Sequence, residues 1–137
     1  LTIRISYSNI SWRVRKWKKL RAVLSEIFTS YNLTPAIVDI IVVGNNEILA
    51  VNKEFLNHNY YTDVITFSEK RGREVSGEIY ISIETVKTNS YNYNVSLKEE
   101  FSRVAIHGVL HMCGFEDKTN KQRAEMSKQE DFWLSKL

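Results

Sequence analysis

The residues with the most chemistry in this chain of 137 residues are gathered in one stretch, His107-Gly108-Val109-Leu110-His111-Met112-Cys113-Gly114-Phe115-Glu116-Asp117. Histidines four apart on a helix stand one above the other on one face, so both imidazoles can reach one metal ion. Gly114 supplies a helix stop, because glycine takes the left-handed conformation that ends a helix. The turn after it carries Glu116 and Asp117 back towards the histidines. A catalytic zinc site needs three protein ligands and one position open to water. By register His107, His111 and Asp117 supply the three, and Glu116 is either an alternative ligand or a group that orients one. The bland alternative is a pair of hydrogen-bonded core histidines. Val104, Ala105, Ile106, Val109, Leu110, Met112 and Cys113 surround them and leave little of the helix to face water. The glycine stop and the acid three residues beyond it favour the metal. Cys113 points off the histidine face and reads as a packed thiol.

A divalent ion in such a site, zinc being the expected one, lowers the pKa of its bound water towards neutrality, and the hydroxide can attack a carbonyl carbon or a phosphorus. The spacing H-x3-H-x2-G-x2-D is that of metzincin proteases with Asp for the third histidine. Those enzymes carry a glutamate directly after the first histidine as general base. Here that position is Gly108, which cannot take a proton, so the peptidase reading loses its main support. Glu116 is the nearest candidate base by position.

The elements that must hold these groups follow from pattern. Ile3 to Tyr7 alternates as a strand does. Ser11 is placed to cap a helix running to about Tyr31, with Val14, Trp17, Leu20, Leu24, Ile27 and Phe28 as its apolar stripe. Thr34-Pro35 breaks it, and the β-branched run Ile37 to Val43 reads as an interior strand buried on both faces. Asn45 caps a short helix through Phe55. Leu56 to Asn59 is a turn, in which His58 reads as a turn residue. Thr62 to Ser68 and Gly77 to Ile83 read as two strands of a hairpin joined by a charged loop, Glu69 to Glu74. Glu84 to Tyr93 slightly favours a short helix. Ser96-Leu97-Lys98-Glu99 is a capping box for the histidine helix, and Thr119-Asn120-Lys121-Gln122 resembles a second one opening a final helix to about Lys136. The order β-α-β-α-β-β-α-α-α argues for a single α+β domain, residues 1–137, in which a mixed sheet of about four strands packs against helices around a buried metal-binding helix.

Composition sets the outer limits. With 43% hydrophobic and 26% charged residues the chain is globular, and no apolar run is long enough to span a membrane. No signal-peptide pattern opens it. A single cysteine excludes a disulfide framework and points to a reducing cytoplasm. The net charge of +3 is unevenly spread: Arg4, Arg13, Arg15, Lys16, Lys18, Lys19 and Arg21 all precede the first acid, Glu26. Such a ridge is either a solvated face or a surface for a polyanion.

The stretch HGVLHMCGFED resembles the HGxLHLxGYDH signature of the YbeY family, bacterial metal-dependent endoribonucleases of ribosomal RNA maturation. Phe55-Leu56-Asn57-His58 and Thr62-Asp63-Val64-Ile65-Thr66-Phe67 resemble its LNxxYR…TDVLSF segment, and Gly77-Glu78-Ile79-Tyr80-Ile81 its GDIxI strand. The resemblance covers roughly residues 36 to 117. It implies single-stranded RNA as substrate, with the ribosome and its small-subunit RNA as context. Two departures stand out. The family's third ligand is usually histidine, where this chain has Asp117; a carboxylate is an acceptable zinc ligand, lowers the charge of the site by one and admits other divalent ions. Tyr60-Tyr61 is shorter than the family's stretch there, and its arginine has no counterpart. Its phosphate-holding role falls by position to Lys70, Arg71 or Arg73. Arg13 and Lys16 on the basic first helix are further RNA-backbone candidates, and Tyr60 and Tyr61 either stack on unpaired bases or pack on the sheet. A metallopeptidase and a non-catalytic ribosome-binding factor with a structural metal are the alternatives. Oligomeric state is open.

Overall fold

In the computed structural model, which describes residues 2–56 and 62–137, nine elements follow in the expected order. They are β1 (Ile3–Tyr7), α1 (Trp17–Ser30), β2 (Thr34–Val43), α2 (Asn45–Leu56), β3 (Val64–Arg71), β4 (Glu74–Ser82), α3 (Ile83–Asn92), α4 (Leu97–Met112) and α5 (Asn120–Leu134). The strands form one mixed sheet in the order β1-β2-β4-β3. β1 and β4 flank β2 in parallel, and β3 closes one edge antiparallel to β4. This is the expected α+β arrangement of a four-stranded mixed sheet with helices against it.

Alternation along the strands sends Ile3, Val38, Ile40, Val42, Ile79 and Ile81 to one core, where they meet Leu24, Phe28, Phe101, Ile106 and Val109 from α1 and α4. α4 is the buried middle of the molecule. It touches α1, α3, α5, β3 and β4, and nearly every side chain between Glu100 and Met112 is buried except Arg103 and the two histidines. Ser96 caps it by accepting from the Glu99 amide at 3.0 Å. Gly108 explains how closely α4 lies on the sheet. A Cβ at that position would sit 2.8 Å from Ile79 Cγ2, so any larger residue would have to push Ile79 aside.

Three local expectations change, and a fourth, the slightly favoured helix after Ser82, is borne out. α1 begins at Trp17 rather than after Ser11, because Lys16 adopts a positive φ of 56° and breaks the helical path. Arg13, Arg15 and Lys16 therefore precede the helix. β2 is not buried on both faces: Ile37 is 54% exposed, since α2 on that side packs at the far end of the sheet, on Val43 and Ile65. Glu69 to Glu74 is not a long loop. β3 and β4 stay paired up to Arg71 and Glu74 and turn on Gly72-Arg73, as an edge strand carries charge without cost. Residues 83–92 form a clear helix, α3, capped by Ser82. The capping box Thr119/Gln122 opens α5 as expected, with both reciprocal bonds present.

Candidate metal centre

Each of the three expected ligands reaches one point. Nε2 of His107 and of His111 are 2.9 Å apart. Oδ2 of Asp117 lies 3.1 Å from the first and 3.3 Å from the second. Donor atoms held roughly 2.0–2.1 Å from a tetrahedral ion lie about 3.3 Å from one another, so this triangle has nearly the dimensions of one face of a zinc tetrahedron. Among the described residues it is the one group of three or more such side chains close enough to share an ion.

The hydrogen bonds on the far side of each ring say what the near side must be. His111 Nδ1 is 2.9 Å from the Phe115 carbonyl. A carbonyl only accepts, so Nδ1 carries a proton, and the tautomer protonated there presents a bare Nε2. His107 Nδ1 is 2.6 Å from Glu130 Oε2 and likewise donates. Two nitrogen lone pairs and a carboxylate oxygen thus converge, and three acceptors this close repel one another unless a cation or a proton lies among them. Burial resists charging the His107 ring, but the hydrogen bond and charge of Glu130, helped by Asp117 and Asp63, outweigh it and raise its pKa. The donor set therefore fits a divalent ion, and acid competes with that ion for His107.

Local sequence places the ligands. α4 ends at Met112, and Gly114, at φ +103°, turns the chain so that the Phe115 carbonyl returns to His111 and Asp117 to both rings. The Phe115 amide bonds the Leu110 carbonyl at 3.0 Å and closes this turn. The ligands open onto a cavity of about 430 Å³, walled by Asn52 and Leu56 of α2, by Thr62 and Asp63, and by the start of β3 as far as Ser68. Both rings keep partial exposure, 21% and 27% of their side chains. A second cavity, of about 350 Å³, lies behind His107 and Asp117 and is lined by Asp63, Glu100, Arg103 and Glu130. Burial foremost, with the charge of Asp63 adding to it, pushes the Glu100 carboxyl up to about 7; Arg103 opposes the shift.

The other expected site residues are dispersed. Glu116 is exposed and accepts from Gln122 Nε2 at 3.4 Å; it ties the turn to α5 and does not line the cavity. Arg13 donates to the Ile10 and Trp12 carbonyls and lies 4.2 Å over the Tyr7 ring, so it braces the segment before α1. Lys16 is exposed beside Lys19 and Lys98 on a separate cleft near the start of α4, about 15 Å along that helix from the histidines. Arg71 and Arg73 are exposed at the tip of the β3–β4 hairpin, beyond the Ser68 wall of the cavity. Lys70 lies on the α4 side of β3, near enough to Cys113 for its charge to oppose the burial that pushes that thiol up to about 12. Such a thiol is a packed group rather than a ligand. His58, Tyr60 and Tyr61 lie outside the described residues.

Sequence reasoning missed Glu130. The available signal was its register: Met126, Glu130 and Trp133 are the buried stripe of α5, and an acid in an apolar stripe implies a buried partner. Gly108 also gains a second meaning. The position of the metzincin base faces Ile79 and the sheet, away from the cavity, so no side chain there could serve the ligands.

Residues 3–137 match the sequence model of a family described as Endoribonuclease YbeY. A protein of Chlorobium phaeobacteroides named Endoribonuclease YbeY is 37% identical over 129 residues, covering 94% of either chain. One of Bacteroides fragilis with the same name is 46% identical over 91 residues, 66% of each. Among solved structures, the solution structure of TM1509 from Thermotoga maritima superposes with a TM-score of 0.67 at 28% identity, over 98% of this chain and 87% of that one.

Proposed function

Since the chain belongs to the endoribonuclease YbeY family, we propose that it hydrolyses single-stranded RNA with one divalent ion, zinc by donor chemistry, held by His107, His111 and Asp117. The observation that carries this reading is the convergence of three acceptor atoms, with both Nδ1 protons turned outward, at the wall of an open cavity. When bound, such an ion supplies a water acidified towards neutral pH and a positive charge beside the phosphate. The chain's own residues hold the two rings in the tautomer that presents Nε2, keep one carboxylate in register with them, and leave the side facing α2 and β3 open for substrate.

The cation supply for the phosphates is proposed to come from Arg71 and Arg73, exposed on the hairpin whose strand walls the cavity. Lys16 and its lysine neighbours form a second, remote basic patch suited to the backbone of a larger RNA. Arg13 contributes mainly to folding of its segment. Context follows from the family resemblance: maturation and quality control of small-subunit ribosomal RNA, at the ribosome, in the cytoplasm. No helix among the described residues is long and apolar enough to cross a membrane. Glu116 is the sequence-based candidate for proton transfer, a role that would require its turn to move; an ion held by His107, His111 and Asp117 would itself acidify a water and lessen the need for a separate base.

Cleavage of a labelled single-stranded RNA by wild type and by His111→Ala, each with and without chelator, tests the proposal. Cutting that vanishes in the variant and in chelator is the expected result. Equal cutting by both proteins sinks it. RNA binding without cutting by either favours a ribosome-binding factor.

A further inference from the structure

α5 places one acid where its buried stripe calls for an apolar residue. Glu130 is 6% exposed, between Met126 and Trp133. A buried carboxylate is costly unless paired, and this one is paired twice. Oε1 accepts from Arg103 Nη1 at 3.0 Å and Oε2 meets His107 Nδ1 at 2.6 Å. The other arm of the Arg103 fork bonds Asp131 Oδ1 at 2.6 Å. Arg103 lies one turn before His107 on α4, while Glu130 and Asp131 are neighbours on α5. One guanidinium thus fixes a carboxylate in two dimensions, and that carboxylate fixes an imidazole.

We propose that Glu130 is a positioning residue of the metal centre: it holds His107 in the Nε2-ligating tautomer, fixes the ring's rotation and raises the basicity of Nε2, with Arg103 setting where the carboxylate stands. The inference rests on the metal site proposed above. A ligating imidazole that donates its other N–H to a carboxylate is oriented and made more electron-rich, and losing such a partner costs about 10-fold to 100-fold in metal affinity. The competing account is an interhelical tie only, with Glu130 joining α4 to α5 and nothing more. The two differ in what they predict for a protein without metal. A tie would weaken folding and leave the affinity of the folded protein unchanged. A positioning residue changes affinity in a protein that still folds.

The experiment is Zn²⁺ affinity by competition with a chromogenic chelator, for wild type and Glu130→Gln, together with the thermal unfolding of each metal-free chain. Glu130→Gln keeps the size of the side chain and its link to Arg103 but removes the charge. The expected result is a loss of about 10-fold to 100-fold in Zn²⁺ affinity, with a cooperative metal-free unfolding transition retained. Affinity within threefold of wild type overturns the inference. Should Glu130→Gln fail to fold, Glu130→Asp, which keeps the charge and withdraws the carboxylate from Nδ1, takes its place under the same two criteria. A wild-type chain that binds no Zn²⁺ overturns the metal site itself, an outcome distinct from equal binding by wild type and variant.

Discussion

His107 and His111 are the same residue one helical turn apart, yet they are held by different kinds of structure. His111 leans on the carbonyl of Phe115, four residues ahead, and Gly114 makes the turn that brings it there. His107 leans on a carboxylate 23 residues away, delivered by another helix and fixed by a guanidinium. One anchor is local, neutral and made of backbone. The other is distant, charged and made of side chains. His111 borders the open cavity, and His107 borders both that one and the rear one, where Asp63, Glu100 and Glu130 gather. The pair shows that equivalent ligands need not be equivalent in how the fold keeps them, and so should fail in different ways.

The largest effect comes from removing either ring, and here the two should not differ. His107→Ala and His111→Ala each delete a direct ligand, and Zn²⁺ affinity measured against a chelator should fall beyond the ~100-fold upper range for an outer partner. If only one of them matters, the shared ion is wrong. The comparison sharpens with Gly114→Ala, which strains the turn that carries the His111 anchor and Asp117 and leaves the Glu130 anchor of His107 untouched. A side chain at φ +103° costs about 1–3 kcal/mol, readable as a lower unfolding midpoint in urea, and should weaken metal binding through the displaced Phe115 carbonyl. The smallest effect belongs to the His107 side. Glu100, pushed up to about 7 from an ordinary 4.5, holds its proton more tightly folded than unfolded. Its contribution is therefore full below pH 4.5 and is lost as pH rises through about 7. Glu100→Gln, neutral throughout, should match wild type near pH 4.5 and be more stable than it at pH 8. Denaturant melts at the two pH values check this; a gap that shrinks towards pH 8 contradicts it.

The same contrast explains what could be read from the sequence. The His111 half lies within eleven consecutive residues. Helix spacing, a glycine stop and an acid three residues on are local rules, so His107, His111 and Asp117 were legible as one cluster, as were the caps at Ser96 and Thr119. The His107 anchor was not, because nothing local joins position 107 to position 130; only the packing of α5 on α4 does. The same holds elsewhere. Helical periodicity ran on from Ser11, but the side-chain bonds of Arg13 to the Ile10 and Trp12 carbonyls and the positive φ of Lys16 start α1 at Trp17. The charged run 69–74 reads as loop by composition, yet it continues an edge strand whose partner pairs with it regardless of side chain. The element order and the mixed sheet survived these errors, because the β-branched and apolar runs that decide them are long. Glu116 was chosen on its distance in sequence alone, and its direction, towards Gln122, was set by the capping box that opens α5.

The central claim is that both rings present a bare Nε2 to one ion. Long-range ¹H–¹⁵N spectra of the histidine rings, recorded as Zn²⁺ is added, test it most directly. The Nε2 signals of His107 and His111 should move together and saturate at one equivalent, while both Nδ1 atoms stay protonated. Rings that do not respond, or a response confined to the chain's third histidine, His58, would contradict it.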